Sequence, residues 1–275
     1  MGTGDSPSGA SASSDPVPAM VLGRGRRATV LADRGTALKV WAPGDARAET
    51  EARREAAVLE ALAAQGLPVP ACLGVERRGT GWALRLELIA GPTWGAAWLS
   101  RDAEAATDVT DAGDPLRAMA AALARVHARI LGSRAPAGLP RLKDRLADRI
   151  ARAAGLAPRV RAGCLATLGA LSDGAALCHG DFHPFNVMGP ADAPVVIDWA
   201  DAAAGPPAAD IARTHLLIAA RVPALADGLA AATAGPLGLT VADLRAWRPV
   251  LAAARLAEGI DGAEAEALRA IAAGG

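Results

Sequence analysis

The residues able to do chemistry crowd into one stretch, His179-Gly180-Asp181-Phe182-His183-Pro184-Phe185-Asn186, followed by Ile197-Asp198-Trp199. Mg²⁺ prefers hard oxygen ligands and takes only one or two from protein, leaving the rest to water and phosphate. Asn186 and Asp198 suit that pair, and Asp181 is then the group left to accept a proton from an attacking hydroxyl. For the three to meet, the chain must fold back between them. Ala176-Leu177-Cys178 and Val195-Val196-Ile197 are short apolar runs, while Pro184 and Gly189-Pro190 forbid a long helix in between. The pattern predicts strand, loop, short strand, turn and a strand that carries Asp198, with a hairpin closing through Gly189 to Pro194. Two other readings share these residues. Asp, Asn, Gly and Pro are ordinary turn formers, and Asp181-x-His183 has the look of a metallophosphatase ligand pair. The latter needs further His and Asp clusters, and outside the loop only His127 and His215 remain, each alone in a helical pattern.

The order Asp-x-x-x-x-Asn and then a later Asp matches the phosphoryl-transfer template of catalytic base, metal-binding Asn and metal-binding Asp. The motif resembles that of the aminoglycoside phosphotransferase family of kinase-like enzymes, whose wording is HGD-x-H-P-x-N and a later IDW or IDF. The resemblance runs from about Met20 to the C-terminus. It implies a two-lobed α+β protein-kinase-like fold, with a small antiparallel-sheet N-lobe carrying one helix and a larger, mainly helical C-lobe. It also implies transfer of the γ-phosphate of ATP or GTP, with Mg²⁺, to a hydroxyl of a small molecule such as an antibiotic or a metabolite. By the same resemblance His183 stands where protein kinases carry a catalytic-loop lysine, near the γ-phosphate. Phe185 departs from the small residue usual before the Asn. A bulky ring there reshapes the mouth of the site and counts against simple carry-over of an aminoglycoside acceptor.

Such a loop needs a phosphate-holding half, and the preceding chain supplies candidates. Gly23-Arg24-Gly25-Arg26-Arg27-Ala28 fits either a glycine-rich hairpin over phosphates or a Rossmann turn, with Asp45 as the acid the latter requires. The structural alternative is a plain hairpin using glycine for φ > 0. Thr29-Val30-Leu31, the Asp33-Arg34-Gly35 turn and Thr36 to Trp41 read as strand, turn, strand, which favours the hairpin. Lys39 on that last strand is one of only two lysines among many arginines, and it would point its ammonium at the α- and β-phosphates. The helix predicted over Arg47 to Gln65 puts Glu55 three, four and seven residues before Val58, Leu59 and Leu62. A carboxylate on that apolar face needs a partner, and Lys39 is the obvious one. Glu51 lies one turn earlier, but the family pattern of arginine-glutamate-alanine falls on Arg54-Glu55-Ala56. A strand pair turned at Gly79-Thr80-Gly81 leads to Ala90-Gly91-Pro92, which resembles an interlobe hinge, so Glu87 to Ala90 are the adenine-contact candidates. Trp94 and Trp98 line the cleft or pack in the core.

The implied organisation is a disordered tail at 1–18, an N-lobe at 19–90, a hinge at 91–95 and a C-lobe at 96–275. Asp114-Pro115 starts a helix to Leu131 in which His127 is a packed core histidine, and Lys143 lies on a solvated face of alternating Arg and Asp. Only Ala200 to Gly205 separate Trp199 from the next helix at Pro206-Pro207, too few for an activation segment that holds a peptide. Asp210 is assigned to anchor the catalytic loop, supported by Arg213 or His215. A Thr240-x-x-Asp243 capping pattern opens a later helix, and Glu258, Asp261, Glu264 and Glu266 beyond it suit an amine-bearing acceptor or a solvated face. Balanced charge at 275 residues gives no footprint for nucleic acid or an anionic membrane, and no apolar run approaches the ~20 residues of a span. Three isolated cysteines, Cys72, Cys164 and Cys178, fit a reducing compartment, and the expected location is cytoplasmic.

Overall fold

The computed structural model describes residues 20–25, 28–104 and 114–274; the tail expected at 1–18 lies outside them. Five strands form one antiparallel sheet in the order β1-β2-β3-β5-β4: β1 Met20–Arg24, β2 Ala28–Asp33, β3 Thr36–Trp41, β4 Cys72–Arg78 and β5 Gly81–Glu87. β2 and β3 pair from Asp33↔Thr36 onward, leaving a two-residue turn at Arg34 (φ 50°) and Gly35 (φ 76°). Positive φ at both positions is the turn whose twist suits a hairpin. Between β3 and β4 runs α1, Ala48–Ala64, whose buried face is Ala48, Ala52, Glu55, Ala56, Val58, Leu59 and Leu62. That face covers β4 and β5.

The rest is mainly helical: α2 Trp94–Glu104, α3 Pro115–Leu131, α4 Leu142–Arg152, α5 Pro158–Ala170, α6 Pro207–Ala219, α7 Pro223–Ala234, α8 Val241–Arg255 and α9 Gly262–Ala272. Asp114 caps α3, its Oδ1 accepting from Leu116 N at 3.1 Å with Pro115 at the first helical position. Thr240 and Asp243 form a reciprocal capping box on α8. Four short strands are set among the helices. β6 Ala176–Cys178 pairs with β9 Ala203–Gly205, and β7 Val187–Met188 pairs with β8 Val195–Val196. The residues after Trp199 are therefore held as a 3-10 turn and then a strand, with no room for a long segment.

Two large apolar clusters, with a small third one at Leu131, Ile211, Ala230 and Ala234, fill the interior of the described residues. One joins α1, β5, α3 and α7 to Leu177, Phe182, Val196 and Trp199; the other joins α4, α5, α6, α8 and α9 to Cys178 and Ala203. Successive residues of a strand face opposite sides, so β6 gives Leu177 to the first and Cys178 to the second. The stretch from His179 to Trp199 emerges where the two meet, between the sheet and the helices.

Candidate active site

The loop after β6 is pinned by its backbone. Asp210, at the start of α6 and 1% exposed, accepts from His179 N (2.9 Å) and Gly180 N (2.8 Å). His127 Nε2 lies 3.0 Å from the same carboxylate, and its ring stacks on Phe182 with centroids 4.3 Å apart. Burial pushes the Asp210 carboxyl up, but the His127 contact and the two amides outweigh it and hold it below the usual range. Of the two supports the sequence offers for this loop, Arg213 donates from Nε to Gly180 O (3.2 Å), while His215 bonds Asp227 at the surface (2.9 Å).

His179 ties this loop to the next hairpin. Its Nδ1 accepts from Asp181 N (3.2 Å), so Nε2 carries the hydrogen donated to Ile197 O (3.1 Å). That tautomer is the neutral ring, and full burial favours it by lowering the pKa. Ile197 N donates to Asn186 O (2.9 Å), and Trp199 Nε1 donates to Val196 O (2.8 Å). Asp198 is thus fixed from both sides. It is not strand-borne, as the sequence pattern predicts: β8 stops at Val196, and Asp198 adopts φ 61°, ψ 67°. A non-glycine residue there costs about 1–3 kcal/mol and persists only where neighbours over-determine it.

Asn186 and Asp181 meet directly. Asn186 Nδ2 donates to Asp181 O (2.8 Å) and lies 3.5 Å from Asp181 Oδ2. The carbonyl partner must face the amide nitrogen, which fixes the Asn186 flip and leaves Oδ1 as its ligand end. His183 Nε2 is 3.3 Å from Asn186 Nδ2 and 3.6 Å from Asp181 Oδ2, so His183 borders both groups. Burial would raise the Asp181 carboxyl; His183, Arg213 and His179 together draw it well below its ordinary range. Asp181 is ionised at neutral pH.

From the sheet side comes Lys39. Its Nζ donates to both oxygens of Glu55 at 2.8 Å and to Asp198 Oδ1 at 3.0 Å. Glu55 is 4% exposed, whereas the Asp198 side chain is 47% exposed and open to the cleft. Burial alone would lower the Lys39 pKa; the two carboxylates reverse that and raise it. Burial, opposed by Lys39, pushes the Glu55 carboxyl up. Glu51, the alternative partner, accepts instead from Trp41 Nε1 (3.1 Å). Arg54 reaches from α1 to Ala200 O, a second link between α1 and the segment after Asp198.

Gly23 and Gly25 lie on β1 and at its tip. Neither has positive φ, so the hairpin does not need glycine for its backbone angles. A Cβ at Gly23 would meet nothing, while one at Gly25 would come within 3.3 Å of Ala28 O. Gly25 N donates to that same carbonyl (2.9 Å), leading into β2 rather than into a helix, and the whole sheet is antiparallel. The Rossmann reading fails on both counts. Asp45 accepts from Arg47 N at the start of α1. Glu87 N donates to Ala71 O (2.9 Å) and its Oε2 accepts from Ala71 N (3.1 Å), so its amide and carboxylate brace the sheet end; Ala90 lies beyond β5, in the link to α2.

Several participants escape the sequence pattern. Trp94 Nε1 donates to Gly189 O (2.7 Å), and the Phe185 ring covers Gly95 so closely that a Cβ there would fall 2.8 Å from it. Phe185 thus docks the loop onto α2 as well as facing the mouth, at 48% exposure. The helix α4 is not simply a solvated face. Lys143 Nζ caps α5, bonding Leu171 O at 2.6 Å, and Arg149 Nη2 grips both oxygens of Asp201 at 2.7 Å, with Arg145 on the same carboxylate. Two of the four C-terminal acids are also claimed by arginines. Glu258 is 6% exposed and tied to Arg213 (2.6 Å), Arg255 (3.2 Å) and Arg149 (3.4 Å), and Glu264 is tied to Arg255.

A phosphotransferase enzyme family model matches residues 23–250. The chain belongs to that family. It is a phosphotransferase. Its fold is shared by solved structures of low identity. One is an aminoglycoside-3'-phosphotransferase of type VIII, at 20% identity, TM-score 0.61, covering 87% of this chain and 92% of that one. Another is choline kinase LicA from Streptococcus pneumoniae, at 14%, 0.62, 93% and 92%. A third is an aminoglycoside phosphotransferase from Streptomyces rimosus in complex with ADP and streptomycin, at 18%, 0.56, 82% and 89%. No curated protein sequence matches.

Proposed function

We propose that the chain transfers the γ-phosphate of ATP or GTP to a hydroxyl of a small molecule, with Asp181 as the base. The observation that carries this reading is the position of Lys39 Nζ, bonded at once to Glu55 and Asp198, across the cleft from the paired Asp181 and Asn186. Phosphoryl transfer passes through a loose transition state, so catalysis is mostly positioning and charge stabilisation. Lys39, braced by Glu55, holds the α- and β-phosphates. The glycine-rich hairpin with Gly23 and Gly25 covers them, and the backbone from Glu87 to Ala90 meets the nucleotide base. Asp181, ionised and held by the Asp210-anchored loop, orients the acceptor hydroxyl and takes its proton. His183, beside Asp181, contacts the γ-phosphate.

The donor set fits Mg²⁺. Asn186 keeps Oδ1 as its ligand end, the Asp198 carboxylate is open, and Mg²⁺ asks for no more protein oxygens than these. Asn186 and Asp198 would hold the ion, which would supply charge neutralisation at the phosphates. A metallophosphatase finds less support, since among the described residues no group of three or more His, Cys, Asp or Glu is placed to hold a metal. Among those residues no helix is long and apolar enough to cross a membrane, and a nucleotide-rich reducing compartment such as the cytoplasm suits the proposed reaction.

The acceptor is a small molecule. An amine-bearing one gains little from Glu258 and Glu264, whose charges arginines already meet. The test is nucleotide consumption with ATP and GTP against aminoglycosides, macrolides, amino alcohols and sugars, with Asp181→Ala as the blank. Turnover above that blank with at least one acceptor is expected. Equal rates for the wild type and the blank across the whole panel would refute the reading.

A further inference from the structure

Arg213 and Glu258 are buried next to the base, and the proposed reaction so far uses neither. Arg213 lies in α6; Glu258 ends the 3-10 turn Leu256–Glu258 after α8. Each side chain is 6% exposed. The guanidinium makes three approaches. Nε donates to Gly180 O at 3.2 Å, Nη2 donates to Glu258 Oε1 at 2.6 Å, and the same Nη2 lies 3.6 Å from Asp181 Oδ1.

The last distance is too long for a hydrogen bond. An arginine and a carboxylate this close normally close to about 2.7–2.9 Å, because the charge-assisted bond is strong. Arg213 stops short because its Nη2 is already drawn to Glu258. Glu258 is itself held in place, its Oε2 by Arg255 (3.2 Å) and its Oε1 by Arg149 (3.4 Å) as well as by Arg213. Gly180, whose carbonyl Arg213 holds, has no slack either: φ is +80°, and a Cβ would lie 2.5 Å from Asp201 O.

We propose that Arg213 and Glu258 are a positioning pair for the catalytic loop: Arg213 fixes the Gly180 carbonyl and the orientation of Asp181, while Glu258 holds the guanidinium back so that Asp181 Oδ1 stays open to the acceptor hydroxyl. The inference rests on Asp181 being the base. It gives the two residues distinct effects. Without Arg213 the base loses its guide. Without the Glu258 charge the guanidinium closes on Asp181 and occupies the oxygen meant for the hydroxyl. Loss of Glu258 therefore lowers kcat only while Arg213 is present; a merely structural ion pair shows that coupling in melting temperature, not in kcat at unchanged nucleotide affinity.

The experiment uses the full chain and Mg-ATP, with the best acceptor of the hydroxyl panel or with water where none exceeds it. It reads kcat, the Kd of Mg-AMPPNP and the melting temperature for Arg213→Met, Arg213→Lys, Glu258→Gln, the Arg213→Met/Glu258→Gln double variant and Asp181→Ala. Arg213→Met and Glu258→Gln are expected to lower kcat by about tenfold or more, since small misplacements of a reacting group are costly. Kd should stay within about twofold, as for loss of an interaction made only in the transition state. Arg213→Lys should restore part of the loss, and the double variant should be no slower than Arg213→Met alone. Wild-type kcat in both single variants, or losses that multiply in the double variant, would overturn the proposal. Should Arg213→Met not fold, Arg213→Lys and Glu258→Gln decide: reduced kcat at unchanged Kd supports the pair, and wild-type kcat in both sinks it. The base assignment is read separately. If Asp181→Ala keeps its turnover, that assignment fails; if it is inactive while the Arg213 and Glu258 variants run at the wild-type rate, only the positioning pair fails.

Discussion

The two sides of the cleft hold their key groups by different means. On the sheet side, Lys39 is placed by side-chain charge alone, from Glu55 on α1 and from Asp198 across the cleft. On the helical side, Asp181 sits on a backbone that is itself bonded: Asp210 takes the His179 and Gly180 amides, Arg213 takes the Gly180 carbonyl, and His179 takes the Ile197 carbonyl. The base is placed by the fold, so whatever moves it also loosens the interior. The ammonium is placed by ionisation, so it can be unseated while the fold survives. One side is a structural element that happens to be chemical; the other is a charge balance that a nucleotide can enter.

Breaking Asp210 should give the largest combined effect. Asp210→Ala leaves two amides and the His127 ring without a partner in a buried place, at a cost of about 3–5 kcal/mol, read as a lower urea midpoint together with lost turnover. Lys39→Met should separate the two properties. Turnover is expected to fall by about 10²-fold or more with loss of a phosphate-stabilising charge. Glu55 then takes up a proton rather than staying charged, which limits the stability loss to about 1–3 kcal/mol. If the unfolding midpoint falls as far as it does for Asp210→Ala, the contrast between the two sides is wrong.

Acid sharpens the same comparison. The folded pKa of Asp210 is depressed, so its contribution is complete above the unfolded value of about 4 and is lost as pH falls through the lower folded value. Stability should decline on acidification in that window, and Asp210→Asn should flatten the slope of midpoint against pH. The smallest change is expected from Trp94→Phe, which removes the bond to Gly189 O and should cost about 1 kcal/mol with nucleotide affinity unaltered.

The difference between the sides also governs what was legible in the sequence. A strand-borne lysine, one of two among many arginines, and a glutamate on an apolar helix face predict their own contact, because an unpaired buried charge is so costly; the Lys39–Glu55 bond is that contact. The β2–β3 hairpin, the short link after Trp199 and the capped helices follow from period and turn chemistry in the same way, while the five-stranded antiparallel sheet was legible only through the family resemblance. Arg145 and Arg149 give no such signal, and Arg213 and Glu258, each a candidate by its place in the sequence, give no hint of their bond to each other. On α4, arginines alternating with aspartates have the period of a solvated face, and the partners of Arg149, Asp201 and Glu258, lie 52 and 109 positions away in turns outside the helix. His127 looks like a core histidine and is one, yet its ring nitrogen meets Asp210, 83 positions on. Left-handed geometry at Asp198 is invisible too, since nothing in an Ile-Asp-Trp run asks for it.

One tether near the end of α1 has a mechanical consequence. Pro68 O, between α1 and β4, accepts from Val196 N of β8 at 2.7 Å, and close by Arg129 of α3 donates to Gly66 O at 2.5 Å. Two neighbouring carbonyls of the sheet side are thus nailed to the helical side. Arg54 to Ala200 O and Lys39 to Asp198 Oδ1 add links farther along the cleft, but both are made by long side chains. Side chains can swing on their torsions where a backbone-to-backbone bond cannot, so the least compliant joint between the two sides lies at Pro68.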